Sequence, residues 1–176
     1  MNIYFIIAVI VLIISVLALI FFSSYNKAKN YKDKMDKSES IIDENLSKKM
    51  ELIIYLNGTV KKVTGKKDYL KDYVEINNLI MTNIEKDLKL DEAVKLLEEL
   101  LKDFEELSKD EDFNKNILEI KKIDEIIAAA KNMFNHSAIL SNQLIKVFPN
   151  NIMAKLANFK IRSYYNINKE LTEEIF

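Results

Sequence analysis

Two glycines and one proline serve the whole 176-residue chain, where average usage would supply about 12 and 9. Strand-rich folds turn roughly every 8 to 12 residues and need Gly, Pro, Asn-Gly or Asp-Gly to do so. A sandwich, barrel or doubly wound sheet has too little punctuation here, and the chain reads as all-α. The same scarcity extends to reactive groups. With no Cys and one His, disulfide frameworks, thiolate nucleophiles and any site needing two imidazoles are excluded. The expectation is a protein that is not an enzyme and holds no metal or cofactor.

All charged residues lie beyond Ser24, and the formal net charge is −1. A nucleic-acid-binding domain would carry a basic excess to neutralise phosphates, so no nucleic-acid partner is expected. From Ile3 to Phe22 the chain is uncharged, and as a helix this stretch spans about 30 Å, the thickness of a bilayer hydrocarbon core. A cleaved signal peptide is the alternative. No basic residue precedes the run, however, and Phe22, Ser23, Ser24 and Tyr25 make no small-x-small cleavage site. The reading is an uncleaved anchor over residues 1–24 that meets membrane lipid through residues 3–22. Lys27, Lys29, Lys32, Lys34 and Lys37 follow the run, which places the bulk of the chain in the cytoplasm and a short N-terminus outside.

Residues 25–149 carry helical periodicity. Ala28, Tyr31 and Met35, then Ile42, Leu46, Ile53, Leu56, Val60 and Val63, mark a first helix stopped at Gly65; Gly58 inside it costs roughly 1 kcal/mol relative to Ala. Leu70, Tyr73, Ile76, Ile80, Met81, Ile84 and Leu88 mark a second. After a break near Lys89 with Asp91 as N-cap, Val94, Leu97, Leu100, Leu101, Phe104 and Leu107 mark a third. Ser108 and Glu111 have capping-box spacing and open a fourth. It carries Ile120, Ile123, Ile127, Ala130, Phe134, Ser137, Ser141, Leu144 and Phe148 at alternating spacings of 3 and 4, ending at Pro149. A second column, Ile126, Met133, Leu140 and Val147, widens that stripe to a bundle core. Helices one and four, beyond the membrane, come to about 57 Å and the middle two to about 30 Å. The architecture expected is a transmembrane helix followed by an elongated up-down-up-down antiparallel four-helix bundle. One long parallel coiled-coil dimer is the other reading the spacing leaves open.

Candidate sites are few. His136 falls on an outward face with no Glu three residues before it, so the Glu-x-x-His pair of di-iron bundles is absent. The acidic run Glu98, Glu99, Asp103, Glu105 and Glu106 reads as a solvated face with Lys95, Lys102 and Lys109 as helical partners. Lys61, Lys62, Lys66 and Lys67 cluster at the first hairpin: they form a candidate interaction surface, or they complement the helix dipole. In the tail, residues 150–176, Lys155, Phe159, Lys160, Arg162, Tyr164 and Tyr165 mix charge with aromatics. They are a candidate membrane-interface element, or they pack onto the long helices.

Asp124 to Asn135 reads Asp-Glu-Ile-Ile-Ala-Ala-Ala-Lys-Asn-Met-Phe-Asn and resembles the "ENxIAAARxFYN" segment of the LemA family of bacterial membrane proteins. Phe148 to Ile152 resembles that family's "FPSNL" element, Ala154 to Phe159 with Tyr164 and Tyr165 its closing aromatic region, and Tyr25-Asn26 its Tyr-Asn after the anchor. Ile54 and Tyr55 stand where the family has Pro-Asn. The resemblance implies a single-pass protein of the bacterial cytoplasmic membrane with an up-down helical bundle. Relatives are often encoded near a membrane-bound zinc protease, and one branch is linked to membrane remodelling; neither association gives any residue here an activity. The function expected is a membrane-anchored protein-interaction or adaptor module in envelope maintenance, with other membrane proteins, such a protease among them, or the chain itself as partner. The alternative is a self-associating structural protein that reshapes membranes.

Overall fold

The computed structural model describes residues 2–65, 68–76, 79 and 81–165. They form six helices and no strand: α1 (Ile3–Val63), α2 (Lys71–Glu75), α3 (Asn83–Asp103), α4 (Glu105–Lys109), α5 (Glu111–Lys146) and α6 (Asn150–Leu156). The contacts divide the chain into a central unit, Glu39–Lys131, and a terminal unit made of the residues up to Ser38 and those from Asn132 onward. Helices α1 and α5 each contribute to both.

In the central unit the apolar column of α1 packs as its spacing predicts, with Ile42, Leu46, Ile53, Leu56 and Val60 fully buried. Opposite them lie Leu90, Ala93 and Leu97 of α3 and Phe113, Ile117, Ile120, Ile123 and Ile127 of α5. Pairings across the helices fix their directions. Ser47 meets Lys86 and Lys49 meets Asp91, so numbers rise together along α1 and α3. Lys49 also meets Asp124, Tyr55 meets Asp112 and Glu98 meets Lys121, so α5 runs opposite to both.

The middle of the chain differs from the sequence expectation. In place of two helices of similar length there is one, α3, with 21 residues; α2 and α4 have five each. The break lies before Asn83, and α3 runs unbroken through Lys89 and Asp91. A capping box causes this: the Thr82 side chain accepts from the Glu85 amide, and Glu85 accepts from the Thr82 amide, satisfying two otherwise unpaired donors and starting the helix eight residues ahead of the expected Asp91 cap. Ile80, assigned to the second helix, lies outside the described residues. At α5, Asp110 rather than Ser108 caps, accepting from the Phe113 amide at 2.9 Å. Gly65 stops α1 as expected, with φ of 72°, a conformation that glycine adopts without steric cost.

In the terminal unit, Ser24, Ala28, Met35 and Ser38 of α1 are buried, as are Phe134, Ser137, Ala138, Ser141 and Ile145 of α5. The small side chains let two helix backbones approach closely. The Phe148–Pro149 peptide is cis, and α6 follows, burying Met153 and Ala154. Among the described residues one helix, α1, is long and apolar enough to cross a membrane: its N-terminal window has a mean hydropathy of 3.5 and none of it is buried.

Candidate functional site

Position 49 belongs to the buried column of α1, seven residues after Ile42 and four before Ile53, and it is occupied by lysine. Its side chain is 0% exposed, and its ammonium donates to Asp91 Oδ1 at 2.6 Å and Asp124 Oδ1 at 2.5 Å. A second pair stands beside it: Lys131 Nζ donates to Asp87 Oδ2, and Asp87 is itself buried. Three carboxylates from α3 and α5 thus face two cations from α1 and α5 within the central unit.

A buried ammonium is strongly destabilising unless paired. Burial by itself would lower the Lys49 pKa, but the hydrogen bonds to Asp124 and Asp91 outweigh it and hold the group above the ordinary lysine value. Burial raises the Asp124 carboxyl above its ordinary value, with Asp91 and Asp87 adding to the rise and Lys49 opposing it. A lysine kept protonated is itself a poor nucleophile or base, and its two bonds fasten α1 to α3 and α5. Asp91 and Asp124 remain partly exposed, so water reaches the carboxylates but not the lysine. Among the described residues no group of three His, Cys, Asp or Glu side chains is placed to hold a metal ion.

The terminal unit has a fastener of another kind. Asn142 Nδ2 donates to the Arg162 carbonyl at 2.9 Å, and the Arg162 amide returns a bond to Asn142 Oδ1 at 3.0 Å. Asn135 does the same with Tyr165, at 2.7 and 2.8 Å. Seven helical residues rise about 10 Å, and three extended residues cover about the same length. The match in length lets two asparagines a heptad apart act as rungs for a segment running opposite to α5. Phe134 stacks edge-on against Tyr165 at 4.9 Å, Tyr164 Oη accepts from Asn142 at 3.0 Å, and Arg162 pairs with Asp36 at 3.3 Å.

Of the tail residues singled out from sequence, Arg162, Tyr164 and Tyr165 are therefore held against helices, Phe159 packs on Tyr25 at 5.8 Å, and Lys155 and Lys160 are exposed. Residues 166–176 lie outside the description. At the hairpin, Lys61 pairs with Asp68 at 2.6 Å across the Gly65 turn and holds that carboxyl below its ordinary value. Lys62 is exposed, and Lys66 and Lys67 lie outside the described residues. His136 is exposed. In the acidic run Glu105 pairs with Lys109 as expected, while Glu98 reaches Lys121 on α5. The second column is not core: on α5 Ile126 is 46% exposed, Met133 42% and Leu140 half-buried, and Val147, just past the end of α5, is exposed.

Sequence reasoning missed both fasteners. A charged residue on an apolar heptad column was the available signal for Lys49, and Asn135 with Asn142 at heptad spacing was the signal for the rungs. Four of these residues, Asp124, Lys131, Phe134 and Asn135, come from the one stretch that resembles the family motif. Among curated proteins none matches the chain. The LemA family profile matches residues 38–175, which begins after the apolar run and covers most of the chain. The chain belongs to the LemA family.

Proposed function

We propose that this protein is a membrane-tethered interaction module: residues 3–22 of α1 cross the bilayer, the N-terminus lies outside, and the central unit stands in the cytoplasm as an antiparallel up-down bundle. The tether is supported by the fully uncovered apolar start of α1, and the orientation by the lysines that follow it. The observation that carries the interaction reading is the exposed column on α5. In the terminal unit Met133 on α5 and Val147 just past its end are exposed, with the half-buried Leu140 between them at seven-residue intervals, the spacing at which one helix presents a seam to another. Among the described residues Met133 keeps 42% and Val147 60% of its surface exposed. The partner is another membrane protein, with envelope maintenance as the setting.

Photocrosslinking side chains introduced at Met133 and Val147 in intact cells test this reading. Discrete adducts at these positions and none at His136 are expected, and recovery of only the free chain would contradict it. A second reading, self-association into a membrane-shaping array, rests on the same heptad spacing, which equally suits a second copy. An adduct of twice the chain mass would select it.

A further inference from the structure

Within the terminal unit a cavity of about 340 Å³ opens between α1 and the segment after α6. Its walls include the rings of Tyr25 and Phe159, packed edge to face. Lys29, Lys32 and Lys160 line it, with Asp33 as the one unpaired acidic group on its wall. Arg162, also at its rim, is already paired with Asp36. Those three lysines, like Lys27, Lys34 and Lys37 on the same stretch of α1, enter none of the ion pairs among the described residues, and what sets them apart is that they share one concavity. Three lysines against one carboxylate leave the concavity with a net positive charge, which suits an anion.

The position along α1 narrows the anion. Tyr25 lies about 4 Å, Lys29 about 10 Å and Lys32 about 15 Å beyond the end of the apolar run at Phe22, so the backbone of Tyr25 falls within a polar headgroup layer about 5 to 8 Å deep and the two lysines start outside it. Helical side chains lean toward the N-terminus, here toward the apolar run, and long lysine stems extend further in that direction. The floor of the same unit is apolar: α6 exposes Ile152 and Leu156, Phe148 precedes it at 73% exposure, and Ile152 and Met153 line a hollow with Leu17, Ile20 and Phe21 of α1. An apolar hollow against Leu17 to Phe21 and a basic cavity against Tyr25 to Met35 follow one another along α1, the order of the two ends of a lipid.

Resting on the tether reading above, we infer that this cavity takes the phosphate headgroup of an anionic phospholipid, held by Lys29, Lys32 and Lys160. The chemistry shared with a free phosphate ester is recognition of a phosphate by ammonium groups.

The test uses the full chain in nanodiscs of phosphatidylcholine with one-fifth phosphatidylglycerol, released for native mass spectrometry. Enrichment of retained phosphatidylglycerol over its bulk share is expected. The triple variant Lys29→Gln, Lys32→Gln, Lys160→Gln should bring the retained share back to that of the bulk. The variant Lys27→Gln, Lys34→Gln, Lys37→Gln removes equal charge from the same part of α1 but spares the cavity, and should keep the enrichment. Equal loss in both variants, or no enrichment in the unsubstituted chain, overturns the site. Glycerol phosphate added to pure phosphatidylcholine discs separates the sources: retention on the unsubstituted chain but not the triple variant, without phosphatidylglycerol enrichment, replaces the lipid with a soluble ester. Failure of the chain to enter discs at all is a different outcome, since it overturns the tether and the headgroup site with it.

Discussion

The two units draw on the same long helices, α1 and α5, yet they are fastened by different physics. The central unit contains a buried ammonium, Lys49, shared between carboxylates of α3 and α5. The terminal unit contains no comparable buried charge among its described residues and uses amide rungs, small residues and edge-on rings instead. A buried charge is unforgiving: replacing one member of the set leaves the rest unpaired in low dielectric. Neutral rungs fail locally, because each loses only its own pair of hydrogen bonds. The central unit should therefore respond to mutation as a whole and the terminal unit piece by piece.

The sharpest way to break this contrast is to remove both anions from Lys49. Asp91→Asn with Asp124→Asn should cost about 3 to 5 kcal/mol in guanidinium unfolding of the full chain in detergent. Lys49→Met should cost clearly less, because both carboxylates already reach water. A larger loss for Lys49→Met would mean that the carboxylates, not the lysine, set the cost of the cluster.

pH gives a related signature. The folded pKa of Lys49 is raised, so its contribution is complete below the unfolded lysine value and is lost as pH rises through the raised one. The stability difference between the unsubstituted chain and Lys49→Met should be constant from neutral pH to about pH 9.5 and close at higher pH. Asp124, also raised, contributes fully below the unfolded carboxylate value and loses that contribution as pH rises through its folded value. Asp124→Asn should accordingly be best tolerated near neutral pH and worst in acid. Unfolding midpoints across pH read both effects.

In the terminal unit, Asn142→Ala should release Arg162 and Asn135→Ala should release Tyr165, each at about 1 to 3 kcal/mol. Hydrogen exchange is the suitable readout: the amides of Arg162 and Tyr165 should lose protection while those of the central unit keep theirs. Spread of the loss into Glu39–Lys131 would show the two units to be one cooperative block. The smallest effect expected is at Gly58, where an added Cβ meets nothing within 4 Å. Gly58→Ala should stabilise the central unit by about 1 kcal/mol. The same change at Gly65, at φ of +72°, should destabilise it by a similar amount.

The sequence made the helical class, the long helices now seen as α1 and α5 and the stop at Gly65 readable, because apolar spacing and backbone punctuation are local signals; the fourth helix, expected to run to Pro149, ends at Lys146. The start of α3 was also readable in Thr82 and Glu85, but a hydrophobic pattern continuing through Ile76, Met81, Ile84 and Leu88 masked the cap. Spacing predicted that Ile126 and Met133 would be core; it shows that a helix has an apolar face and cannot show whether a neighbour covers it. Lys49 was hidden for the opposite reason. Its burial depends on partners 42 and 75 residues away, and no local pattern announces such a meeting. Asn135 and Asn142 are common residue types on a helix surface, and their role emerges only once the segment ending at Tyr165 lies beside them.

The tether is the claim on which the functional account depends, and sidedness tests it most directly. The chain has no native Cys, so single introduced residues report cleanly. With a membrane-impermeant maleimide on intact cells, the account predicts labelling of Asn2→Cys and none of Lys62→Cys until the membrane is opened. Labelling of Lys62→Cys in intact cells, or recovery of the chain in the soluble fraction, would contradict it.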